Sequence, residues 1–194
     1  MKKIAVLVSG GGTNLQALID AEKKGIIKSG KISLVISNNP DAYALERANN
    51  NGIKTVVVPK KGVGQEEFEQ GIISALEKNK IDFIVLAGFM CILSESFTKK
   101  YPKRIINVHP SLIPSFCGKG FYGLRVHEAA LSKGVKVTGA TVHFVNEIPD
   151  GGEIIMQKAV SIRPDDTAES LQKRVMRLAE WQILPKSVEL VCSQ

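Results

Sequence analysis

The chain has 194 residues, of which 44% are hydrophobic and 23% charged, and its formal net charge is +7. This length and composition indicate one globular domain with room for a core, and they exclude a disordered or low-complexity chain. The apolar runs are too short to cross a bilayer, and only 6% of residues are aromatic, which disfavours a nucleic-acid groove of interleaved basic and aromatic side chains.

Short apolar runs alternate with amphipathic stretches over the first half of the chain. The hydrophobic periodicity predicts, in order, a strand at 4–8, a helix at 15–24, a strand at 32–37, a helix at 42–50, a strand at 55–58, a helix at 65–79 and a strand at 83–86. This alternation implies parallel strands with helices on both faces of the sheet.

The second half departs from this alternation. We expect a strand at 105–108, a short helix at 126–132, two antiparallel strands at 137–144 and 154–160, and a final helix from about 167 to 191 that is interrupted at Pro185. Residues 109–123 hold two prolines and three glycines, and such a loop inside a compact domain is usually functional. The predicted fold is a single α/β domain whose open, twisted sheet is mostly parallel, Rossmann-like in its N-terminal half, with antiparallel strands added at its C-terminal end.

The cysteines and histidines show no spacing typical of a disulfide framework or a metal site. Cys91, Cys117 and Cys192 contain no C-x-x-C pair and cannot all be paired with one another. Reduced thiols, together with a start that lacks a signal-peptide pattern, lead us to expect a cytoplasmic protein. The three histidines lie too far apart in sequence to form a common metal motif, so we predict no metal.

A glycine loop, Ser-Gly-Gly-Gly-Thr-Asn at 9–14, separates the first strand from the first helix. Backbone amides at such a loop and the helix N-terminus favour an anion, although a tight turn capped by Thr13 or Asn14 is the alternative. No Gly-Lys-Ser/Thr follows, and Leu15 stands where a dinucleotide fingerprint needs its third glycine. The loop therefore fits a single phosphate better than a nicotinamide dinucleotide.

Asn107 and His109 lie at the end of a predicted parallel strand, which is where ligands bind in open α/β sheets. Strand alternation puts both side chains on the same side, so they could serve one reacting atom as an amide donor and an acid/base group. The alternative is a histidine that merely caps a loop. Asp150, in Asp-Gly-Gly, is by itself only a turn signal, but close to His109 it would stabilise the imidazolium and raise the histidine pKa.

Four segments together resemble a known family. They are V-S-G-G-G-T-N-L-Q-A-L-I-D, L-A-G-F-M-C-I-L-S, I-N-V-H-P-S-L-I-P-S-F and T-G-A-T-V-H-F-V-N-E-I-P-D-G-G-E-I-I. In this order, over residues 4 to about 185, the chain resembles the folate-dependent formyltransferases, and among them the phosphoribosylglycinamide formyltransferases. The resemblance implies that a formyl group passes from 10-formyltetrahydrofolate, as co-substrate, to the amine of 5-phosphoribosylglycinamide in purine biosynthesis, without a metal.

The resemblance also implies roles for individual residues. The catalytic residues would be Asn107, His109 and Asp150, with His143 as a support. The phosphoribosylglycinamide substrate would be bound by Gly12, Thr13, Asn14, Arg177 and Glu180. The folate would be bound by Gln65, Met90, Cys91, Ile92, Leu93, Asn107, Asn146, Glu147, Ile148, Pro149 and Asp150.

Further implications concern mechanism and organisation. Asn107 and a protonated His109 would bind the tetrahedral oxyanion, and Asp150 would keep His109 protonated. Cys91 stands where family members often carry arginine, Gln65 lies near a position that is often basic, and the loop 116–123 is longer than in many relatives.

We expect residues 1–100 to bind the phosphorylated substrate and residues 101–194 to hold the folate and catalytic groups, without either half folding alone. The partners would be small molecules, not nucleic acid or membrane, and the chain would be a monomer or homodimer.

Several rival interpretations stay open at this point. Methionyl-tRNA formyltransferase carries an extra C-terminal domain, formyltetrahydrofolate hydrolase an additional regulatory domain, and the sugar-amine formyltransferases should lack a triple-glycine loop. From a different class, the chain could be a non-catalytic nucleotide-binding module or a basic nucleic-acid binder.

Overall fold

A seven-stranded mixed sheet forms the centre of the protein, and the computed structural model describes residues 1–194. The strands are β1 (Lys2–Val8), β2 (Gly30–Ser37), β3 (Lys54–Val57), β4 (Phe83–Leu86), β5 (Ile105–His109), β6 (Val137–Phe144) and β7 (Ile154–Ser161). They are ordered β3-β2-β1-β4-β5-β6-β7; β1 to β5 are parallel, and β6 and β7 are antiparallel to their neighbours. The predicted fold, a mostly parallel sheet with antiparallel strands added after it, is confirmed.

The central strand β1 shows why helices cover both faces. Ile4, Val6 and Val8 belong to a core cluster of 30 buried residues, whereas Ala5 and Leu7 belong to a second cluster of 15. A strand that is buried on both faces has a continuous apolar sequence, as this one does. The helices are α1 (Thr13–Lys23), α2 (Tyr43–Asn50), α3 (Gln65–Lys78), α4 (Glu95–Lys100), α5 (Leu124–Lys133), α6 (Ala168–Val175) and α7 (Trp181–Cys192). None of these helices is long and apolar enough to span a membrane.

Two helical features differ from the sequence prediction. The helix α4 was not predicted, because six residues are too few for a clear helical period; its sequence signal is Ser94, whose side chain accepts a hydrogen bond from the amide of Phe97. The final helix is interrupted by a π-helical segment at Met176–Glu180 rather than at Pro185, which lies inside α7. There the amide of Trp181 reaches back five residues to the carbonyl of Met176.

The antiparallel neighbour of β5 fixes the chain that follows His109. Thr141 of β6 is opposite His109, and it is fully buried. Its hydroxyl donates to the carbonyl of Ser111 at 2.7 Å and accepts from the amide of Ile113 at 3.1 Å. The long loop, residues 109–123, therefore leaves β5 along a defined path. This path is fixed by β6, a strand that comes later in the chain.

Gly139, also on β6, provides a test of this packing. A methyl group at Gly139 would lie 2.1 Å from the carbonyl oxygen of Lys158 on β7. We expect Gly139→Ala to lower the free energy of unfolding by about 2 kcal/mol or more, because rigid backbone must move to admit the methyl group. Urea denaturation measures this change. In the control Gly10→Ala the methyl group meets nothing within 4 Å; an equal loss in both variants would contradict the prediction.

Candidate active site

The carboxyl ends of β1, β4 and β5 meet at one edge of the sheet, and most of the predicted site residues lie there. The amide of Ser9 donates to the carbonyl of Gly88 at 3.2 Å. The hydroxyl of Ser9 accepts a hydrogen bond from the amide of Met90 at 2.8 Å. These bonds join the glycine loop, residues 9–14, to the segment 88–93 that follows β4. Two of the four family-like segments are therefore in direct contact.

Asn107, His109 and Asp150 lie together, and His143 completes the cluster. Nδ1 of His109 is 3.5 Å from Oδ2 of Asp150, and Nε2 of His143 is 3.5 Å from Oδ1 of the same carboxylate. Nδ2 of Asn107 is 3.3 Å from Nε2 of His143, its partner in the register of β5 and β6. The antiparallel strand thus adds a second imidazole to the cluster, and both rings are almost completely buried.

The hydrogen bonds of His109 define its tautomer. Nε2 lies 2.9 Å from the carbonyl oxygen of Phe116, and because a carbonyl can only accept, Nε2 carries a proton. Burial lowers the pKa of His109 below its ordinary value, although the Asp150 carboxylate and the Phe116 carbonyl act in the opposite direction. The carboxylate of Asp150 thus acts on this pKa in the predicted direction, but it does not keep His109 protonated at neutral pH, because the net shift is downward. Desolvation of the buried ring outweighs the attraction of a carboxylate 3.5 Å away.

Asp150 occupies a turn whose backbone requires its two glycines. Its own φ is 56°, a left-handed conformation that is uncommon for a residue with a side chain. A methyl group at Gly152 would lie 1.8 Å from the carbonyl oxygen of Phe144. Burial alone would raise the pKa of Asp150, but the imidazoles of His143 and His109 and the amide of Gly118 together hold it below its ordinary value. Asp150 is therefore an anion at neutral pH, and the Gly118 amide, 2.8 Å from Oδ2, attaches the long loop to it.

The glycine loop presents amides that donate to no other group of the protein, namely those of Gly10, Gly11 and Gly12. Gly12 has φ 71°, and a methyl group there would lie 2.6 Å from Cβ of Ala44, so only glycine fits this position. Helix α1 begins at Thr13, directly after the loop. Free amides next to a helix N-terminus suit an anion.

Glu180, a predicted substrate residue, is buried next to the glycine loop. Its Oε2 accepts a hydrogen bond from Nδ2 of Asn14 at 2.7 Å. Burial raises the pKa of Glu180 to about 7, and the Asn14 bond only partly offsets this effect. The structure thus joins two predicted substrate residues that are 166 positions apart in sequence.

Arg177, the other predicted substrate residue on this helix, points elsewhere. It lines a shallow surface cavity of about 460 Å³ together with Arg163, Lys173 and Trp181, and no glycine-loop residue contributes to that cavity. Both Arg177 and Glu180 lie in the π-helical segment, whose wider turn directs residues three apart to different sides. Their spacing in sequence therefore does not give them a common direction.

The predicted folate residues fall in two neighbouring segments and on α3. Met90 and Ile92 are exposed and Leu93 is buried; burial raises the pKa of the Cys91 thiol. Gln65, the first residue of α3, donates through Nε2 to the carbonyl of Ile92 at 3.0 Å.

The second folate segment is residues 146–150, which follow β6. Asn146 accepts the amide of Ile148 through Oδ1 at 3.0 Å, and Ile148 is 58% exposed. Glu147 and Pro149 are exposed as well. Val145, which precedes this segment, packs on the same core cluster as Leu93 and Cys91. The two segments thus lie on the same side of the sheet.

His127 on α5 was not singled out from the sequence as part of the site. It is fully buried, neither ring nitrogen has a hydrogen-bond partner, and burial lowers its pKa to about 4, with a smaller contribution from the charge of His109. In sequence it has the pattern of an ordinary inward-facing helix residue, so no signal distinguished it. No cluster of three or more His, Cys, Asp or Glu side chains with the arrangement of a metal site occurs in the structure.

Comparison with known proteins identifies the family. The sequence profile described as formyl transferase matches residues 2–188. The chloroplastic phosphoribosylglycinamide formyltransferase of Vigna unguiculata is 36% identical over the whole chain, which spans 62% of that protein. The human trifunctional purine biosynthetic protein adenosine-3 is 45% identical over 98% of the chain, which spans 18% of it. The crystal structure of glycinamide ribonucleotide transformylase 1 from Symbiobacterium toebii superposes with a TM-score of 0.92 at 38% identity, covering all of this chain and 88% of that one. The chain belongs to the formyl transferase family.

Proposed function

We propose that this protein transfers a formyl group from 10-formyltetrahydrofolate to the amine of 5-phosphoribosylglycinamide in de novo purine biosynthesis. The products are formylglycinamide ribonucleotide and tetrahydrofolate. The observation that carries the proposal is the cluster of Asn107, His109 and Asp150 at the sheet edge that also holds an anion-binding glycine loop. The names of its relatives support the same reaction.

The proposed chemistry is an acyl transfer between two nitrogens. The glycinamide nitrogen forms a bond to the formyl carbon, the bond from that carbon to N10 of the folate breaks, and one proton passes from the amine to N10. The carboxamide of Asn107 and the Nε2–H of His109 are the donors for the oxyanion of the tetrahedral intermediate. One such donor is typically worth about 3 kcal/mol of barrier lowering.

His109 reaches this role by exchanging one acceptor for another. Its Nε2–H is directed at the carbonyl of Phe116 in this structure. In the proposed reaction the formyl oxygen takes the place of that carbonyl. Nε2 already carries the proton that is donated to the oxyanion, and Nδ1 faces Asp150 at 3.5 Å, so the amine proton passes to the leaving N10 through water and not through the ring. The carboxylate of Asp150 stabilises the positive charge that the His109 ring gains as its Nε2–H donates to the oxyanion.

Binding of the two substrates is assigned to opposite sides of the cluster. We infer that Gly12, Thr13, Asn14 and Glu180 hold the phosphoribosyl part, with Arg177 contributing charge from the outer side. The exposed apolar side chains of Met90, Ile92 and Ile148 suit a flat aromatic ring of the folate. The free amides of the glycine loop favour a phosphorylated acceptor over the unphosphorylated amine of a sugar or over water.

We also propose a cellular location and an oligomeric state for the enzyme. The three cysteines are free thiols, which suits the reducing cytoplasm. The candidate ligands are small molecules, and we propose that the chain acts on them as a monomer or homodimer without a metal.

The proposed activity is tested by following folate release from 10-formyltetrahydrofolate with and without 5-phosphoribosylglycinamide. We expect turnover that requires the ribonucleotide and that falls by about 10² to 10³ in His109→Ala and in Asn107→Ala, because each removes a donor to the oxyanion. Asn49→Ala, which removes an exposed carboxamide on α2, is the matched control and should keep full activity. Folate release without an amine would indicate a hydrolase, and no release under any condition would refute the proposal.

The effect of Asp150 on His109 is tested by titration. Asp150→Asn removes the negative charge that favours the imidazolium, so the pKa of His109, already below its ordinary value, should fall further. NMR titration of the histidine signals measures this change. Glu147→Gln, an exposed carboxylate in the same loop, should leave the pKa of His109 unchanged. An unchanged or higher pKa in Asp150→Asn would contradict the geometry.

The buried carboxyl of Glu180 should make binding of the phosphorylated substrate depend on pH. With a pKa of about 7, Glu180 loses its charge as the pH falls, so the KM for 5-phosphoribosylglycinamide should rise below pH 7. Glu180→Gln should abolish this dependence and raise the KM about tenfold, the typical loss of a hydrogen bond to a charged acceptor.

The stability of Glu180→Gln should change in the opposite sense. Because the folded-state pKa lies above the unfolded value, the charged carboxyl destabilises the fold as the pH rises from 4.5 through 7. Glu180→Gln should therefore be more stable than the wild type at pH 8 in urea denaturation. Glu46→Gln, at an exposed site on α2, is the control for both measurements. A KM that does not vary with pH in the wild type would contradict the role of Glu180.

A further inference from the structure

Arg47 of α2 contacts the glycine loop from behind. Its Nε donates to the carbonyl of Gly11 at 2.8 Å, and its Nη1 donates to Oε1 of Gln16 at 3.3 Å. The guanidinium also lies 4.9 Å from the centre of the Tyr43 ring. Contacts on three sides hold this side chain in one orientation. Nothing in the sequence motif of the loop pointed to it, because it lies 36 positions further along the chain.

Two hydrogen bonds from α2, one from Ala44 and one from Arg47, fix the direction of two amides of the glycine loop. The carbonyl of Gly10 accepts the amide of Ala44 on α2 at 3.0 Å, and the carbonyl of Gly11 accepts Nε of Arg47. Both peptide bonds are trans. In a planar trans peptide the N–H points opposite to the C=O, so the amides of Gly11 and Gly12 point away from α2. They are two of the amides that donate to no other protein group.

The charge of Arg47 also favours an anion at the Gly12 amide. The guanidinium forms no ion pair with any carboxylate of the protein. It is half-buried directly behind the Gly11–Gly12 peptide, and it draws the electrons of that carbonyl toward itself. An amide whose carbonyl is bound to a cation is a better hydrogen-bond donor, since successive hydrogen bonds polarise one another.

We propose that Arg47 is a positioning residue for the phosphate of the acceptor substrate, which holds the Gly12 amide directed at that phosphate, beside the Gly11 amide that Ala44 holds. The assignment rests on the proposed function, because it takes the anion of the glycine loop to be the phosphate of 5-phosphoribosylglycinamide. Arg47 acts through the backbone and does not itself contact the reacting atoms. Its function is to keep the Gly11–Gly12 peptide from rotating and turning its carbonyl toward the anion.

The test compares Arg47→Gln and Arg47→Lys with the wild type. Both variants should raise the KM for 5-phosphoribosylglycinamide at least about tenfold, the loss expected for a charge-assisted hydrogen bond. The kcat and the KM for 10-formyltetrahydrofolate should stay within about twofold of the wild type. Lysine keeps the charge but cannot reproduce the Nε–H geometry; a Lys variant that behaves like the Gln variant shows that orientation matters, and one that behaves like the wild type overturns the orienting role.

Arg104→Gln is the matched control. Arg104 also donates to backbone carbonyls, those of Asp82 at 2.7 Å and Ile81 at 2.8 Å, and lies over a tyrosine ring, but at the opposite edge of the sheet. Arg104→Gln should lower the free energy of unfolding without changing the KM for 5-phosphoribosylglycinamide or for 10-formyltetrahydrofolate. If the Arg47 variants raise both KM values and lower the kcat in parallel with a lower Tm, Arg47 is merely structural and the proposal is wrong.

Binding of inorganic phosphate, measured by calorimetry, separates this proposal from the proposed function. It should weaken at least about tenfold in both Arg47 variants and remain unchanged in Arg104→Gln. If phosphate binding weakens in the Arg47 variants but the wild type does not use 5-phosphoribosylglycinamide, the role of Arg47 is supported and the proposed acceptor substrate is refuted. Unchanged phosphate binding in an enzyme that does use it would refute the role of Arg47 alone.

Discussion

The carboxylate of Asp150 lies between the imidazoles of His109 and His143, and the second half of the chain is arranged around this contact. A buried anion is stable only when charges or donors surround it. Here the surrounding groups come from three separate parts of the chain: the imidazole of His109 at the end of β5, that of His143 on the antiparallel strand β6, and the amide of Gly118 in the long loop, which donates to the carboxylate. Asp150 has a left-handed backbone conformation, and the two glycines that follow it, Gly151 and Gly152, have no room for a side chain.

The first half of the fold could be predicted because one physical rule governs it. A parallel strand covered on both faces must be apolar throughout, and β1 satisfies this rule with Ile4–Val8. The turn around Gly151 and Gly152 likewise indicated the antiparallel pair. What the pattern missed were features too short to show a helical period. Helix α4 has six residues, fewer than two turns, and the π-helical segment begins within an otherwise regular amphipathic run.

The site was predictable where neighbours in sequence are neighbours in space, and less so elsewhere. Alternation along β5 put Asn107 and His109 on one side, but their distance from Asp150 depends on how β6 and β7 return to the sheet. The net shift of the His109 pKa was not predicted, because the sequence shows the carboxylate that raises this pKa but not the burial of the ring that lowers it. Arg177 and Glu180 diverge because a wider helical turn separates them. His127 and Arg47 lie outside any motif, and only the packing brings them to the site.

The hydrogen bonds of Ser9 have a consequence for how such enzymes can be altered. One residue of the glycine loop binds both Gly88 and Met90 of the segment after β4. Asn14 of the same loop is bonded to Glu180 near the C-terminal end of the chain, which supports our expectation that residues 1–100 and 101–194 do not fold separately. The two proposed substrate subsites are therefore not exchangeable modules. In a chimera that takes the glycine loop of one relative without the segment 88–93 that follows its β4, the contact between the loop and this segment would no longer match. Acceptor and donor preferences should therefore change together in evolution and in recombined libraries.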